Sequence, residues 1–151
     1  MELRRVVITG IGAITPIGNT APEYWDNLCK GVSGAGKITR FDSTKLKTHI
    51  ACEIKGYDSE AYFDRKESRK LDLYAQYAIV AADEAIKDSR IDKGNTDFDE
   101  VGVVFASGIG GISSLYYDMM DTDWNGEALR LSPFIIPRLL PDLASGHISI
   151  K

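Results

Sequence analysis

The chain of 151 residues is 44% hydrophobic and 26% charged, which is the balance of a water-soluble globular protein with enough length for one core. Its formal net charge of −4 argues against a general affinity for nucleic acid, whose phosphates require a basic surface. The two cysteines, Cys29 and Cys52, form no C-x-x-C pair, so a zinc site and a secreted disulfide framework are both disfavoured, and reduced, buried thiols are expected.

The N-terminal segment predicts a buried strand that ends in a glycine turn. The run Arg4–Thr9 is rich in β-branched residues, and Gly10 and Gly12 follow it. Its apolar part, Val6–Ile8, is too short for a signal-peptide core or a membrane span. We therefore expect a cytoplasmic protein that makes no use of a membrane.

The next segments predict a short helix and a strand. Thr20 supplies a capping hydroxyl, Pro22 suits an early helical position, and Gly31 is a stop signal. The alternating segment His49–Ile54 is typical of a half-buried strand.

The second half of the chain predicts two further helices and one strand. Apolar and small residues recur every three or four positions over Ser68–Ser89, which indicates the longest helix. Val101–Ala106 indicates a strand covered on both faces that leads into the glycine-rich loop Ser107–Gly111. Leu139–Ile150 favours a tightly packed helix, although Gly146 weakens it. Alternating strands and helices predict an α/β protein whose small sheet keeps unpaired edges.

Several motifs come close to a known chemistry without reaching it. Gly31–Lys37 nearly matches a phosphate-binding loop, but Ile38 stands where a Ser or Thr should reach magnesium, and the loop follows a helix rather than a strand. His49 and Cys52 would point to opposite faces of a strand. Ser107 lacks the first glycine of a G-x-S-x-G nucleophile turn. We expect no metal, no bound cofactor and no activated nucleophile in these residues.

A local basic segment stands out in this acidic chain. Asp64–Lys70 holds four basic and two acidic residues. If a helix begins here, Lys66, Arg69 and Lys70 share one face, which would suit carboxylates or a phosphate. The alternative is a charged face that only meets solvent.

Five stretches of the sequence form a joint pattern, in the order Arg4–Gly12 with Pro16–Asn19, Arg65–Asp72, Ser107–Gly111, Ser132–Phe134 and, more weakly, Ala144–His147. Together they resemble the β-ketoacyl-acyl-carrier-protein synthases, with synthase II as the most similar type. Because order and spacing agree across the whole chain, the joint match is more specific than any single glycine loop. The resemblance implies an α/β, thiolase-like layered fold, of which residues 1–151 would form a partial N-terminal domain, an incomplete N-terminal half.

The resemblance also implies partners and site residues. In this family a basic helix face docks the acidic acyl carrier protein, and the matching positions here are Lys66, Arg69 and Lys70, with Arg130 as a further contact. The isoleucine that gates the acyl pocket corresponds to Ile109, and the phenylalanine that lines the neighbouring subunit's pocket corresponds to Phe134. A homodimer is therefore implied, although the two apolar side chains could equally be core residues.

The implied reaction is the elongation step of fatty-acid synthesis. An acyl group forms a thioester with a cysteine, malonyl-acyl-carrier-protein is decarboxylated, and the carbanion attacks the thioester in a Claisen condensation assisted by two histidines and a lysine. The substrates are carried on phosphopantetheine, so no separate cofactor is expected.

None of these four catalytic residues is expected within the chain. Cys29 and Cys52 match no catalytic position, and the family pattern places the cysteine shortly after Lys151. We therefore expect the 151 residues alone to be inactive. The alternative is a catalytically silent partner, similar to a chain-length factor, that docks the carrier protein without a nucleophile.

Overall fold

The computed structural model describes residues 4–120 and 132–151, and the chain divides into two compact units. The first unit runs to Tyr57 and includes Asp83–Ile91, and the second comprises Asp58–Ala82 and the residues from Asp92 onward. The regular elements of the described ranges are α1 (Ala21–Cys29), β1 (Gly36–Lys37), β2 (Ile50–Ala51), α2 (Arg65–Ser68), α3 (Leu73–Ser89), α4 (Ile112–Met120), α5 (Ile135–Leu139) and α6 (Leu143–Ile150), with 3₁₀ turns at Ser59–Ala61 and Phe98–Glu100. None of the described helices has the length and apolarity needed to cross a lipid bilayer.

Helix α1 of the first unit forms where the sequence predicted it. The hydroxyl of Thr20 accepts a hydrogen bond from the Glu23 amide at 3.3 Å, which caps the helix. Pro22 lies in the first turn, where no amide donor is needed. After the helix, Gly31 adopts φ +69°, a conformation that glycine reaches without steric cost. The predicted helix is confirmed, including its start and stop signals.

Two carboxylates fasten the loop that precedes α1. The Glu84 carboxylate accepts hydrogen bonds from the amides of Ala13 at 2.8 Å and Ala21 at 2.9 Å, and Asp88 accepts one from the Ile11 amide at 3.0 Å. Ile11 and Ala13 belong to the irregular segment before α1, and Ala21 is the first residue of α1, where an amide has no acceptor within the helix. The last two turns of α3 therefore determine the conformation of this loop.

The strand predicted over His49–Ile54 is reduced to two residues. β2 pairs antiparallel with β1, with Gly36 opposite Ala51 and Lys37 opposite Ile50. The Ile50 side chain is 63% exposed, so the alternating pattern has no apolar layer to bury against. The backbone hydrogen bonds between β1 and β2 therefore form over only two residues, because no apolar side chains cover the predicted buried face of the strand.

The hydrophobic core of the described residues lies in the second unit. Its members come from the segment before α3, from the N-terminal half of α3 and from α6: Phe63, Leu71, Ala75, Ala78, Ile79, Val80 and Ala144. The recurrence of small and apolar side chains along α3 is therefore realised as burial, as the helical period predicted.

The helix predicted over Ser68–Ser89 is confirmed as α3, but it begins at Leu73 rather than at Ser68, and a turn separates it from α2, which ends at Ser68. Asp72 starts the new helix, because its side chain accepts a hydrogen bond from the Tyr74 amide at 3.1 Å. An aspartate at this position competes with the helix interior and favours a cap, which is why the apolar period alone placed the boundary wrongly.

The strands predicted over Arg4–Thr9 and Val101–Ala106 are not formed. Val6 is 89% exposed, and Val104 is 99% exposed. A run of β-branched residues becomes a strand only when a neighbour supplies its hydrogen bonds and covers its side chains. In residues 4–120 and 132–151, β1 and β2 pair only with each other, so neither segment gains a ladder partner.

The helix predicted over Leu139–Ile150 is confirmed as α6, but it begins at Leu143 rather than at Leu139. α5 ends at Leu139, and Leu140 is extended with φ −68° and ψ 122° before α6 begins at Leu143. Pro141 causes the break, since a residue that precedes proline is driven out of the helical region. Gly146 is tolerated inside α6.

The expectation of buried cysteines is wrong. Cys29 and Cys52 are free thiols, and both are exposed. Cys29 is the last residue of α1, a helix with no buried residue, and Cys52 follows the two-residue strand β2. Neither position offers the apolar layer that would enclose a thiol.

We expect the Glu84→Ala substitution to lower the free energy of unfolding by about 1–3 kcal/mol, because it leaves two backbone amides without their acceptor. Urea unfolding followed by circular dichroism measures the loss. The matched control is Asp26→Ala, which removes an exposed carboxylate from α1 of the same unit. Equal losses for the two variants would contradict the assignment of Glu84 as the clamp of this loop.

Candidate functional site

The basic segment of the sequence forms one helical turn and the residues that follow it. We call residues 65–70 the basic turn. Asp64 caps the turn, because its carboxylate accepts hydrogen bonds from the amides of Lys66 and Glu67, both at 2.7 Å. The side chains of Lys66, Arg69 and Lys70 are all exposed. The continuous helical face expected for these cations is therefore replaced by a capped turn that still presents them to solvent.

A buried junction connects the basic turn to α3. Gln76 is 5% exposed, and its amide donates hydrogen bonds to the carbonyls of Ser68 at 3.1 Å and Leu71 at 3.2 Å. Asp72 is 7% exposed, and its carboxylate accepts a hydrogen bond from the Ser114 hydroxyl on α4. Buried polar groups with partners in place fix the backbone on both sides of the break.

Arg138 of α5 contacts the backbone of the basic turn. Its Nε donates to the Arg69 carbonyl at 3.0 Å, and its Nη2 donates to the same oxygen. Its Nη1 lies 3.6 Å from Oδ2 of Asp118 on α4. One guanidinium therefore connects three separate segments of the second unit.

The glycine-rich loop Ser107–Gly111 is held by backbone packing. The Ser107 hydroxyl accepts a hydrogen bond from the Gly110 amide at 3.0 Å, and the Gly111 amide donates to the Leu139 carbonyl at 3.1 Å. Gly110 has φ +74°, and a Cβ on it would lie 2.1 Å from the Leu139 oxygen. Ile109, the residue implied as a gate, is 64% exposed on this loop.

Phe134 lies directly before α5. It is half-buried, and its amide donates a hydrogen bond to the Ser132 hydroxyl at 3.2 Å. The Nζ of Lys70 lies 5.9 Å from the centre of the Phe134 ring, within the range of a cation–π contact. The structure therefore brings one residue of the implied docking set next to one residue of the implied acyl pocket. Arg130, the fourth docking residue, lies outside the described residues.

A cavity of about 330 Å³ borders the basic turn as well. Lys70, Glu67, Leu71 and His147 contribute to its lining. His147, the last residue of the weakest of the five sequence stretches, is half-buried there. The cavity is therefore lined both by Lys70 of the basic turn and by the imidazole of His147 on α6.

Tyr74 connects α3 to the break between α5 and α6. Its hydroxyl donates a hydrogen bond to the Leu140 carbonyl. Burial raises the pKa of this hydroxyl, and the negative charges of Asp72 and Asp142 raise it further. The neutral form, which is the hydrogen-bond donor, is thereby favoured.

The alternative chemistries find no support in the geometry. The loop over Gly31–Lys37 runs from α1 into β1, which is the reverse of the strand-to-helix order of a phosphate-binding loop. Among the described residues, no group of three or more His, Cys, Asp and Glu side chains could hold a metal ion.

Sequence reasoning missed Asp72, Gln76 and Arg138. Asp72 could have been found, because an aspartate directly before an apolar helical period is a capping signal. Arg138 and Arg69 are 69 positions apart, and no local pattern connects an arginine to a distant backbone carbonyl.

Comparisons with known proteins agree on one family. Residues 3–151 match the family model described as the β-ketoacyl synthase N-terminal domain. The chain is 45% identical over 150 residues to a 3-oxoacyl-[acyl-carrier-protein] synthase 2 of Staphylococcus aureus strain N315, an alignment that covers 97% of this chain and 35% of that protein. The chain thus spans about a third of the length of the curated relatives it matches.

Solved structures agree with the predicted fold class. The ishigamide ketosynthase/chain length factor superposes with a TM-score of 0.77 at 27% identity, over 97% of this chain and 36% of that one. A type II PKS acyl-carrier protein in complex with its ketosynthase gives a TM-score of 0.74 at 23% identity, over 95% of this chain and 37% of the matched one. The predicted α/β, thiolase-like fold, represented by part of its N-terminal half, is confirmed.

We expect Gly110→Ala to destabilise the second unit by about 2–4 kcal/mol, because the new methyl group meets the Leu139 carbonyl and the positive φ is unfavourable for alanine. The control is Gly108→Ala in the same loop, where an added Cβ meets nothing within 4 Å. Thermal unfolding of both variants tests the difference. A Gly110→Ala variant as stable as Gly108→Ala would mean that the loop is not packed as described.

Proposed function

The chain belongs to the β-ketoacyl synthase family, and from this premise we propose that it is the N-terminal portion of a 3-oxoacyl-acyl-carrier-protein synthase of fatty-acid elongation. The observation that carries the proposal is the 45% identity over nearly the whole chain to a protein of that name. The role proposed for these residues is to dock the carrier protein and to form part of the acyl pocket, while the condensing residues lie in the rest of the fold.

The basic turn is the proposed docking surface for the acyl carrier protein. Lys66, Arg69 and Lys70 are exposed cations on a turn whose backbone is fixed by Asp64 and Arg138. Cations held on a fixed backbone suit an acidic partner, because less conformational freedom is lost on binding. A solved complex of a ketosynthase of this fold with its acyl-carrier protein supports the choice of partner. Arg130 belongs to the same proposal.

Ile109 and Phe134 are the proposed contributions to the acyl pocket. Both carry bulky apolar side chains, one exposed on the glycine loop and one half-buried before α5. A fatty acyl chain requires a dry slot, and a branched or aromatic side chain can limit its length. In the proposed homodimer Phe134 would line the pocket of the neighbouring subunit. Its contact with Lys70 supports the proposal that the pocket adjoins the docking surface.

The condensation itself is proposed to need residues other than these 151. It requires a thiolate held near an oxyanion site, together with the two histidines and the lysine of the family. The free thiols of Cys29 and Cys52 lie at the end of α1 and after β2, and we propose that neither is the family's nucleophile. By itself the chain is proposed to bind without catalysing.

A second candidate function is that of a chain-length-factor-like partner. The superposition with a TM-score of 0.77 on a chain of the ishigamide ketosynthase/chain length factor, a pair that includes such a factor, supports it. Such a partner would keep the docking turn and the dimer surface without a nucleophile. Sequence beyond Lys151 discriminates the two functions: a cysteine flanked by small residues supports the synthase.

We expect the Lys66→Glu/Arg69→Glu double variant to bind acyl carrier protein about tenfold or more weakly, and with a smaller dependence on salt, because two attractive charges become repulsive. Fluorescence anisotropy titrations at two salt concentrations measure both effects. The matched control is Lys45→Glu/Lys47→Glu, which makes the same change of charge at exposed positions of the first unit. Unchanged affinity in the first variant removes the docking assignment.

We expect no acyl transfer onto this chain when it is incubated with acyl-acyl-carrier-protein. Cys29 lies at the C-terminal end of α1 and Cys52 follows β2, so neither exposed thiol lies at a helix N-terminus. A helix N-terminus lowers the pKa of nucleophilic cysteines in general. Intact mass spectrometry detects a transferred acyl group directly. A mass increase that disappears in Cys29→Ser or Cys52→Ser would show an acylated thiol and would overturn the proposed inactivity.

A further inference from the structure

We infer that Arg138 is a positioning residue for carrier-protein docking, one that holds the basic turn in its binding geometry without contacting the partner itself. The inference rests on the proposed function of the basic turn. Neither the family motifs nor the basic segment of the sequence includes Arg138. This residue lies on α5, between Pro137 and Pro141 in the sequence.

The carbonyl of Arg69 is the group that Arg138 satisfies. Arg69 is the C-terminal cap of α2, and the last carbonyls of a helix have no partner within the helix. Nε and Nη2 of Arg138 both donate to this oxygen. The planar guanidinium presents several donors in a fixed arrangement, so that a two-point contact also sets the direction of the carbonyl.

The basic turn needs such support because it is short and strongly charged. A single helical turn is marginal by itself, and exposed cations at neighbouring positions repel one another. Arg138 would add to this repulsion if its charge were uncompensated. The Asp118 carboxylate lies 3.6 Å from Nη1, and both side chains of this pair are 21% exposed. The guanidinium that holds the basic turn is therefore already paired with the Asp118 carboxylate.

The backbone of Arg138 is itself held in place by its neighbours. The Arg138 carbonyl packs so closely against Gly111 that a Cβ there would lie 2.0 Å from its oxygen. The Arg138 amide donates to the Phe134 carbonyl at 3.0 Å. The side chain of Arg138 thus acts on Arg69 from a backbone that is fixed on both sides.

The Arg138→Met variant tests the inference, because methionine keeps an apolar stem and removes every donor. We expect about fivefold weaker binding of purified acyl carrier protein carrying its phosphopantetheine arm, which is the effect of losing one or two hydrogen bonds. The slope of log Kd against log salt should stay at the wild-type value, because the cations that meet the partner are all retained. Lys87→Met is the control for loss of one positive charge, since Lys87 is exposed and belongs to the first unit.

The salt slope distinguishes positioning from direct contact. A smaller slope for Arg138→Met would mean that Arg138 itself meets the partner, and unchanged affinity would mean that the turn does not need it. Either result overturns the inference. Circular dichroism confirms that the variant is folded. If the methionine variant does not fold, Arg138→Lys replaces it, with binding about two- to threefold weaker at the wild-type slope, because lysine keeps the charge and loses the planar fork.

The same titrations separate this inference from the proposed function. Wild-type chain that does not bind the carrier protein, or a Lys66→Glu/Arg69→Glu variant that binds as well as wild type, refutes the docking function. Wild-type binding that is sensitive to Lys66 and Arg69 but insensitive to Arg138 refutes only the positioning role.

Discussion

The buried carboxylate of Asp72 joins three segments of the second unit, and their arrangement depends on it. One oxygen accepts the Tyr74 amide and starts α3, and the other accepts the Ser114 hydroxyl of α4. The carboxyl carbon lies 3.1 Å from where a Cβ on Gly111 would stand, so the glycine loop approaches it closely. A charged group buried in this way is stable only while its hydrogen bonds are made, and this requirement ties the position of each segment to the others.

The break that Asp72 creates between α2 and α3 determines how the basic turn is presented. A continuous helix would have satisfied the Ser68 carbonyl by its own backbone, whereas here the Leu71 amide at 3.4 Å and the Gln76 side chain of α3 at 3.1 Å both donate to it. Side chains of α3 and α5 thereby add to the few backbone hydrogen bonds that the short turn makes by itself. Lys70 is exposed and still reaches the Phe134 ring. Under the proposed function, the docking surface for the carrier protein and the part of the acyl pocket at Phe134 are therefore in direct contact.

Elements that depend on neighbouring residues were predictable from the sequence, whereas elements that depend on residues far apart in the sequence were not. α1 was predictable because Thr20, Pro22 and Gly31 are local signals, and the family pattern identified the fold because its motifs keep their order along the chain. The predictions of strands over Arg4–Thr9 and Val101–Ala106 were wrong. A run of β-branched residues shows that a segment could form a buried strand, but not that another strand is present to pair with it and cover it. The site was only partly predictable. Cations on the basic turn are visible in sequence, but the groups that fix them, Gln76 and Arg138, act through backbone carbonyls that leave no pattern.

The packing of the glycine loop restricts how this part of the protein can diversify. Gly110 and Gly111 cannot accept a side chain, because the carbonyls of Leu139 and Arg138 occupy the space that a Cβ would take. Ile109 projects from the same loop into open surroundings, 64% exposed. If this loop gates the acyl pocket, its selectivity can be tuned at one position while its path stays constant. Related enzymes with different chain-length preferences would then differ here by the volume of a single side chain rather than by a rebuilt loop.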